Sequence, residues 1–267
     1  MRKQFLLLVV SIAIFNYVRA QNSDVGIIYY NYINNQIDES FNSYLVFNQT
    51  SSHYVTAKDS LGLSNSINKK NKNNDEMLIE ADEFNDIKKT RKDGFQVFLN
   101  KKTDSLYFTN AFSLTSKMIY AKEKTPTINW NLQNETKKIG NFNCKKATAT
   151  FRGRKYICWY TQEIPLSYGP WKLQGLPGVI LEAKTEDEFF IVLFKKITYP
   201  VSNIKLPSSK KSLLKKNTKF ISFEEYKQKQ KERIKRVDNS LKVQAKKFNV
   251  QPMPFSEKDN FLEVFGF

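Results

Sequence analysis

Between Gly169 and Ile180 the chain reads Gly-Pro-Trp-Lys-Leu-Gln-Gly-Leu-Pro-Gly-Val-Ile. Three glycines, two prolines and a tryptophan fall within twelve residues, in a chain with only 9 Gly and 8 Pro among 267. Such a run specifies a rigid turn rather than a linker. Pro170 and Pro177 fix φ and remove N–H donors. Leu176 is pushed extended by the proline after it. Gly178 either takes positive φ or permits close backbone approach. The segment therefore constrains where one strand ends and the next begins.

The flanks are strand-like. Phe142 to Phe151 and Lys155 to Thr161 form the strongest predicted hairpin, turning at Arg152-Gly153-Arg154. Ile164-Pro165 ends its second strand, because Pro165 cannot donate to a ladder. In that strand Tyr156, Cys158 and Tyr160 alternate with Ile157 and Trp159, so large apolar groups lie on both faces. Val179 to Lys184 and Glu188 to Tyr199 pair next, around Thr185-Glu186-Asp187. Upstream, Val25 to Ile33, Tyr44 to Asn48, His53 to Ala57, Phe95 to Leu99, Leu106 to Thr109, Met118 to Ala121 and Ile128 to Leu132 are further strand candidates. Ten or eleven short strands predict a mainly β fold: a strongly curved antiparallel sheet or partly open barrel.

One helix is signalled. Ser222 and Glu225 have capping-box spacing, and Phe223, Tyr226, Ile234, Val237 and Leu241 follow on one face. The helix is expected over about residues 223–245, packed on the sheet. Lys227, Gln230 and Lys231 interrupt its apolar stripe. The closing Phe261 to Phe267 reads as a final strand or packed tail. The chain lacks the repeated ten-residue alternation of a membrane barrel. Ser64 to Asp75 is dominated by Asn and Lys and is expected to be a mobile loop. Lys205 to Lys219 reads as a basic connector.

Residues 1–20 have the pattern of a signal peptide: Arg2 and Lys3, an apolar core from Phe5 to Phe15, and Val18-Arg19-Ala20 before the expected cleavage point. The apolar run is shorter than a membrane span. No cysteine follows it before Cys144, so no N-terminal lipid is expected. The mature chain, 21–267, is long enough for one large domain. It keeps 40 basic against 26 acidic residues, a net charge of +14. That excess suits an anionic cell surface. Nucleic acid is not expected without an Arg-rich aromatic module, and no transmembrane segment remains after signal cleavage.

Little in the chain points to catalysis. His53 is the single histidine and is expected on the surface or half-buried in a strand. With two distant cysteines it gives no zinc set, and no serine sits in a nucleophile elbow. Gly175 to Gly178 lacks the Lys-Ser/Thr pair of a phosphate loop. No cofactor, metal or catalytic residue is assigned. Glu163 and Glu182 would form an acid–base pair only if their strand ends meet. The predicted hairpin puts Cys158 opposite Ala147 or Thr148, an offset from Cys144 that favours two buried thiols over a bridge.

These residues resemble the GLPGLI family of exported Bacteroidetes proteins. The name-giving motif reads here Gly175-Leu176-Pro177-Gly178-Val179-Ile180, and Phe151, Gly153, Arg154, Tyr156, Trp159, Tyr160, Glu163, Ile164, Pro165, Gly169, Pro170 and Trp171 follow the family's order. Val179 replaces the usual Leu, and Cys158 stands where Ala is common. The resemblance implies a periplasmic or surface location. It also implies a bowl-like β domain, similar to the accessory N-terminal module of some bacterial peptide-N-glycosidases. It implies no activity. The expectation is a non-enzymatic binding or structural module for a glycan, peptide or lipid-like ligand, with Arg154, Trp159 and Trp171 on a pocket rim and Tyr160, Gly169, Pro170, Gly175, Leu176, Pro177 and Gly178 as further ligand-binding or motif residues; the alternatives are a hydrolase using Glu163 and Glu182 and an envelope lipid carrier. Neither the ligand nor the oligomeric state is legible in the chain.

Overall fold

The computed structural model describes residues 25–35, 38–59, 90–112, 117–201 and 218–267. The signal segment, the Ser64 to Asp75 loop and residues 205–217 of the basic connector lie outside the described residues.

The fold is mainly β, with one long C-terminal helix. The strands are β1 (Val25–Asn34), β2 (Glu39–Phe47), β3 (Ser51–Thr56), β4 (Phe95–Asn100), β5 (Ser105–Asn110), β6 (Ile119–Lys124), β7 (Asn131–Ile139), β8 (Phe142–Phe151), β9 (Arg154–Thr161), β10 (Val179–Thr185), β11 (Ile191–Val201) and β12 (Ile221–Ser222). They form one twelve-stranded sheet in the order β12-β6-β5-β4-β3-β2-β1-β11-β10-β9-β8-β7, and it does not close into a barrel. Two meanders, β1 to β6 and β7 to β11, are joined by the antiparallel β1–β11 pair. The two-residue β12 pairs in parallel with β6.

The sheet curls back on itself. Glu123 on β6 pairs with Arg152 at the β8–β9 turn, although β6 and β8 are nine steps apart in strand order. A flat sheet would separate them by about 43 Å at about 4.8 Å per strand. Register shifts within β1–β11 and between Ile180 and Glu182 on β10 supply bends. The second shift explains how Val179, Ile180 and Leu181 are all buried in succession. The inner face carries one continuous core, from Ile28, Leu45 and Phe47 through Leu106 and Phe108 to Ala147, Tyr156 and Ile180. Tyr30 crosses it to donate to the Ile180 carbonyl at 2.7 Å.

The β8–β9 hairpin turns where expected, with Phe151 opposite Arg154. Cys158 faces Ala147 and Cys144 faces Thr161; both thiols are free and buried. The strand expected at Ile128 to Leu132 lies instead at β7, residues 131–139, most of them exposed. β7 is an edge strand, so its Asn, Lys and Glu side chains face solvent and blunt the open edge.

Helix α1 (Phe223–Phe248) starts as predicted, with the Ser222 hydroxyl accepting the Glu225 N–H at 3.1 Å. It runs three residues beyond the expected Ala245, and Asn249 ends it in the left-handed conformation at φ 53. Gln230, expected to interrupt the packed face, is fully buried. Its amide N–H groups donate to Glu257 Oε1 and the Glu263 carbonyl, while its Oε1 lies buried with no partner of good geometry among the described residues. Chain then returns along α1 through the short α2 (Glu257–Asn260) to a packed, non-strand tail. No helix among the described residues is long and apolar enough to cross a membrane.

Candidate functional site

The Gly-Pro-Trp segment forms a self-laced loop between β9 and β10. The Leu173 N–H donates to the Pro170 carbonyl at 3.1 Å, the Gly175 N–H to Ser167 at 3.3 Å and the Ile180 N–H to Tyr168 at 2.9 Å. Trp130 Nε1 donates to the Gln174 carbonyl at 2.9 Å. Two glycines are required for closeness of approach. A Cβ on Gly178 would lie 1.9 Å from the Thr161 carbonyl oxygen, and one on Gly169 would lie 2.7 Å from Ile180 Cδ1. Gly175 answers the other need, a positive φ of 95.

Trp171 sits in the left-handed region at φ 54, a strained conformation for a bulky side chain. The strain divides two neighbours. The Trp171 ring stacks on Tyr156 with centroids 6.0 Å apart and meets Phe151 edge-on at 5.7 Å. Lys172 goes the other way and is buried. Its ammonium pairs with Glu123 Oε1 and Glu263 Oε1, both at 2.8 Å, and lies 3.4 Å from the centre of the Phe108 ring. Arg152 pairs with the same two carboxylates. Two cations and two carboxylates thus close a buried cluster that joins β6, the β8–β9 turn, the loop and the tail. Charges out of water are tolerated when paired in this way.

Beside this cluster the curled sheet forms a half-open cavity of about 420 Å³. Tyr32, Phe41, Tyr54 and Gln96 line it from β1 to β4, Trp171 and Phe190 from the other meander, and Phe112, Tyr226 and Glu263 complete the wall. Eleven of its twenty-three lining residues are aromatic, so contact inside is dominated by ring faces and edges. Burial pushes the Tyr32 phenol up to about 12, the Asn34 hydrogen bond opposing, and raises the Tyr54 phenol further. Both are neutral donors at ordinary pH. Ser43 and Thr56 stand near enough to Tyr54 to temper that rise, yet the hydroxyls of Ser43, Tyr54 and Thr56 lack a partner of good hydrogen-bond geometry. Gln96 is held from behind: His53 Nε2 donates to its Oε1 at 2.9 Å. His53 is therefore buried, not on the surface, and burial lowers its pKa despite the Gln96 bond.

Of the three side chains expected at one pocket, Trp171 lines the cavity and the other two do not. Trp159 points to the opposite face of β9, beneath the Lys137 ammonium at 4.6 Å; the two-residue period of the strand separates it from Arg154, Tyr156 and Tyr160. Arg154 is buried and committed elsewhere. It pairs with Asp187, donates to the carbonyls of Lys258, Phe261 and Leu262, and lies 3.7 Å from the Phe189 ring centre. Burial alone would raise the Asp187 carboxyl, but Thr185, the Phe189 N–H and Arg154 together hold it below its usual value. Tyr160 packs in the core. Gly169, Pro170, Gly175, Leu176, Pro177 and Gly178 shape the loop behind Trp171. Glu163 accepts the Asn143 N–H at 2.8 Å, and Glu182 is paired with Lys137; neither lines the cavity. Among the described residues no three His, Cys, Asp or Glu side chains converge as a metal site would require.

The aromatic wall escaped the sequence reading because its members come from strands distant in the chain. The burial of Lys172 had no local signal either, since it lies between a tryptophan and a leucine in a turn.

A family described as "Protein of unknown function (Porph_ging)" matches residues 154–182, the stretch from Arg154 through the loop to Glu182. No curated protein matches. Among solved structures the chain is similar to PNGF-II in a C2 space group, at 15% identity and a TM-score of 0.49, over 77% of this chain and 32% of that one. A P21 form of PNGF-II matches at 16% identity and a TM-score of 0.48, over 77% and 33%. The chain thus spans about a third of the length of PNGF-II.

Proposed function

We propose that the protein is an exported, GLPGLI-type envelope module that binds a small ligand without transforming it. The ligand is a glycan ring, a peptide side chain or a lipid-like segment held in the aromatic cavity. The observation that carries this reading is the cavity itself. About 420 Å³ falls within the usual range for small-molecule sites, and Trp171 is held in its wall in a strained conformation. Backbone strain of this kind persists where the surroundings overdetermine it, commonly at ligand clamps. Polar groups such as Gln96, held by His53, and Asn110, bonded to Tyr226, punctuate the aromatic wall and can orient a ligand, and the Tyr54 hydroxyl is left with donor capacity to spare.

The test is displacement of a cavity-bound environment-sensitive dye, such as anilinonaphthalene sulfonate, by arrays of glycans, hydrophobic peptides and fatty acids. Trp171→Ala is expected to weaken dye and ligand binding about tenfold, the loss of one stacked aromatic contact at about 1.4 kcal/mol, with circular dichroism unchanged. Ala111→Phe, which fills the cavity from its wall, is expected to block binding without removing any buried side chain. Unaltered binding in both variants would refute the cavity as the site, and if Trp171→Ala unfolds, Ala111→Phe decides alone.

A further inference from the structure

We propose that the far end of α1 is a docking tip that seats the protein on an anionic lipid surface. The helix is anchored near its start, where Tyr226 and Gln230 are buried. From Gln230 to Phe248 it runs a further eighteen residues, about 27 Å at 1.5 Å per residue. Ala245 is the one buried residue in that length. Returning chain runs alongside: the Val250 N–H donates to the Ala245 carbonyl at 3.0 Å, and the Asp238 carboxylate accepts the Phe255 N–H. Residues 248–253 are the apex of this out-and-back excursion, turning at Asn249.

The apex is apolar and uncovered. Phe248 is 76% exposed, Val250 61% and Met253 80%. With Val243 they are four of the seven large hydrophobics exposed among the described residues, so the exposure is concentrated rather than scattered. The charge nearest the apex is basic: Lys246 and Lys247 directly precede Phe248, and Lys242, about a turn and a half back, is paired with Asp238, while Arg233, Lys235 and Arg236 extend the basic helix about 18 Å and more behind the tip. An apolar tip preceded by a lysine pair matches a bilayer interface: Phe, Val and Met enter the acyl boundary while ammonium groups stay at headgroup phosphates. A second copy is a poorer occupant, because two tips of this charge repel when apposed.

The experiment is co-sedimentation of the mature chain, residues 21–267, with vesicles of phosphatidylcholine mixed with phosphatidylglycerol, and of phosphatidylcholine alone. Binding is expected to the mixed vesicles only, weakening with added salt. Each lysine at an anionic surface contributes about fivefold, so Lys246→Gln/Lys247→Gln is expected to bind about twenty-five-fold more weakly. Phe248→Ser/Met253→Ser is expected to lose binding while keeping its circular dichroism and its cavity-dye affinity, since both side chains are exposed. Phe248→Trp is expected to shift its fluorescence to the blue on the mixed vesicles. Equal binding to both vesicle types, no binding, or wild-type binding by the serine variant would overturn the proposal. So would a dimer in size-exclusion chromatography that the serine variant dissociates. Retained dye binding separates failure of the tip from failure of the cavity.

Discussion

Gly178 and Gly175 stand three residues apart and are glycine for different reasons. At Gly178 a methyl group would collide with the Thr161 backbone oxygen at 1.9 Å, and backbone cannot rotate away. At Gly175 the nearest atom is Trp130 Nε1 at 3.6 Å, and only the φ of 95 resists a side chain. Gly178→Ala is therefore expected to cost about 3 kcal/mol, the upper end for overpacking, and Gly175→Ala about 1 kcal/mol, the cost of a left-handed residue. Urea unfolding of the two variants measures this, and the reverse ranking would contradict it. Both roles of glycine were legible in the chain as alternatives. Choosing between them needed the position of Thr161, which lies on the far side of a loop.

The elements were legible where their signals are local. The Ser222 cap, the Arg152-Gly153-Arg154 turn and the loop ending at Gly178 depend on residues a few positions apart. β7 was misplaced because an edge strand exposed on both faces has no alternating pattern to read. The tail was open between strand and packed coil because its partner is a side chain from another element. Arg154, at the start of β9, gathers the carbonyls of Lys258, Phe261 and Leu262. Hydrogen bonds to a charged group are worth about 1.5–3 kcal/mol each, so Arg154→Met is expected to free the tail before the sheet unfolds. Hydrogen exchange at amides 261–265 should then accelerate at least tenfold while β8 and β9 stay protected. Uniform acceleration across the molecule would instead make Arg154 part of the global core.

Across the whole molecule, several buried groups favour the fold only in their neutral form. Burial pushes the Cys144 thiol from 9.0 up to about 11, with Glu182 adding and Lys137 opposing, and it raises Cys158 further. The folded state keeps protons that the unfolded chain releases, so this stabilisation is complete below pH 9 and is lost as pH climbs through about 11. The buried phenols of Tyr30 and Tyr156, also raised by burial, act in the same direction above their ordinary 10.0. The urea midpoint is expected to hold up to pH 9 and fall beyond it, less steeply in Cys144→Ala; a midpoint independent of alkaline pH would be inconsistent with these buried thiols.

From its sequence alone this chain was determined to be a strand-rich, aromatic-rich fold with a rigid glycine-proline corner and one capped helix. Alternation, turn residues and caps act over a few residues, so they can be read from order. The β1–β11 junction, the curl that brings Glu123 to Arg152, the side of β9 on which Trp159 rests and the wall around Trp171 were decided only by tertiary structure. Each depends on which distant strands share an edge, and pairing energy between strands carries no mark of its partner in either one. The corner identifies itself locally; that its tryptophan faces a cavity and its lysine a buried pair of carboxylates follows from what the rest of the sheet places opposite them.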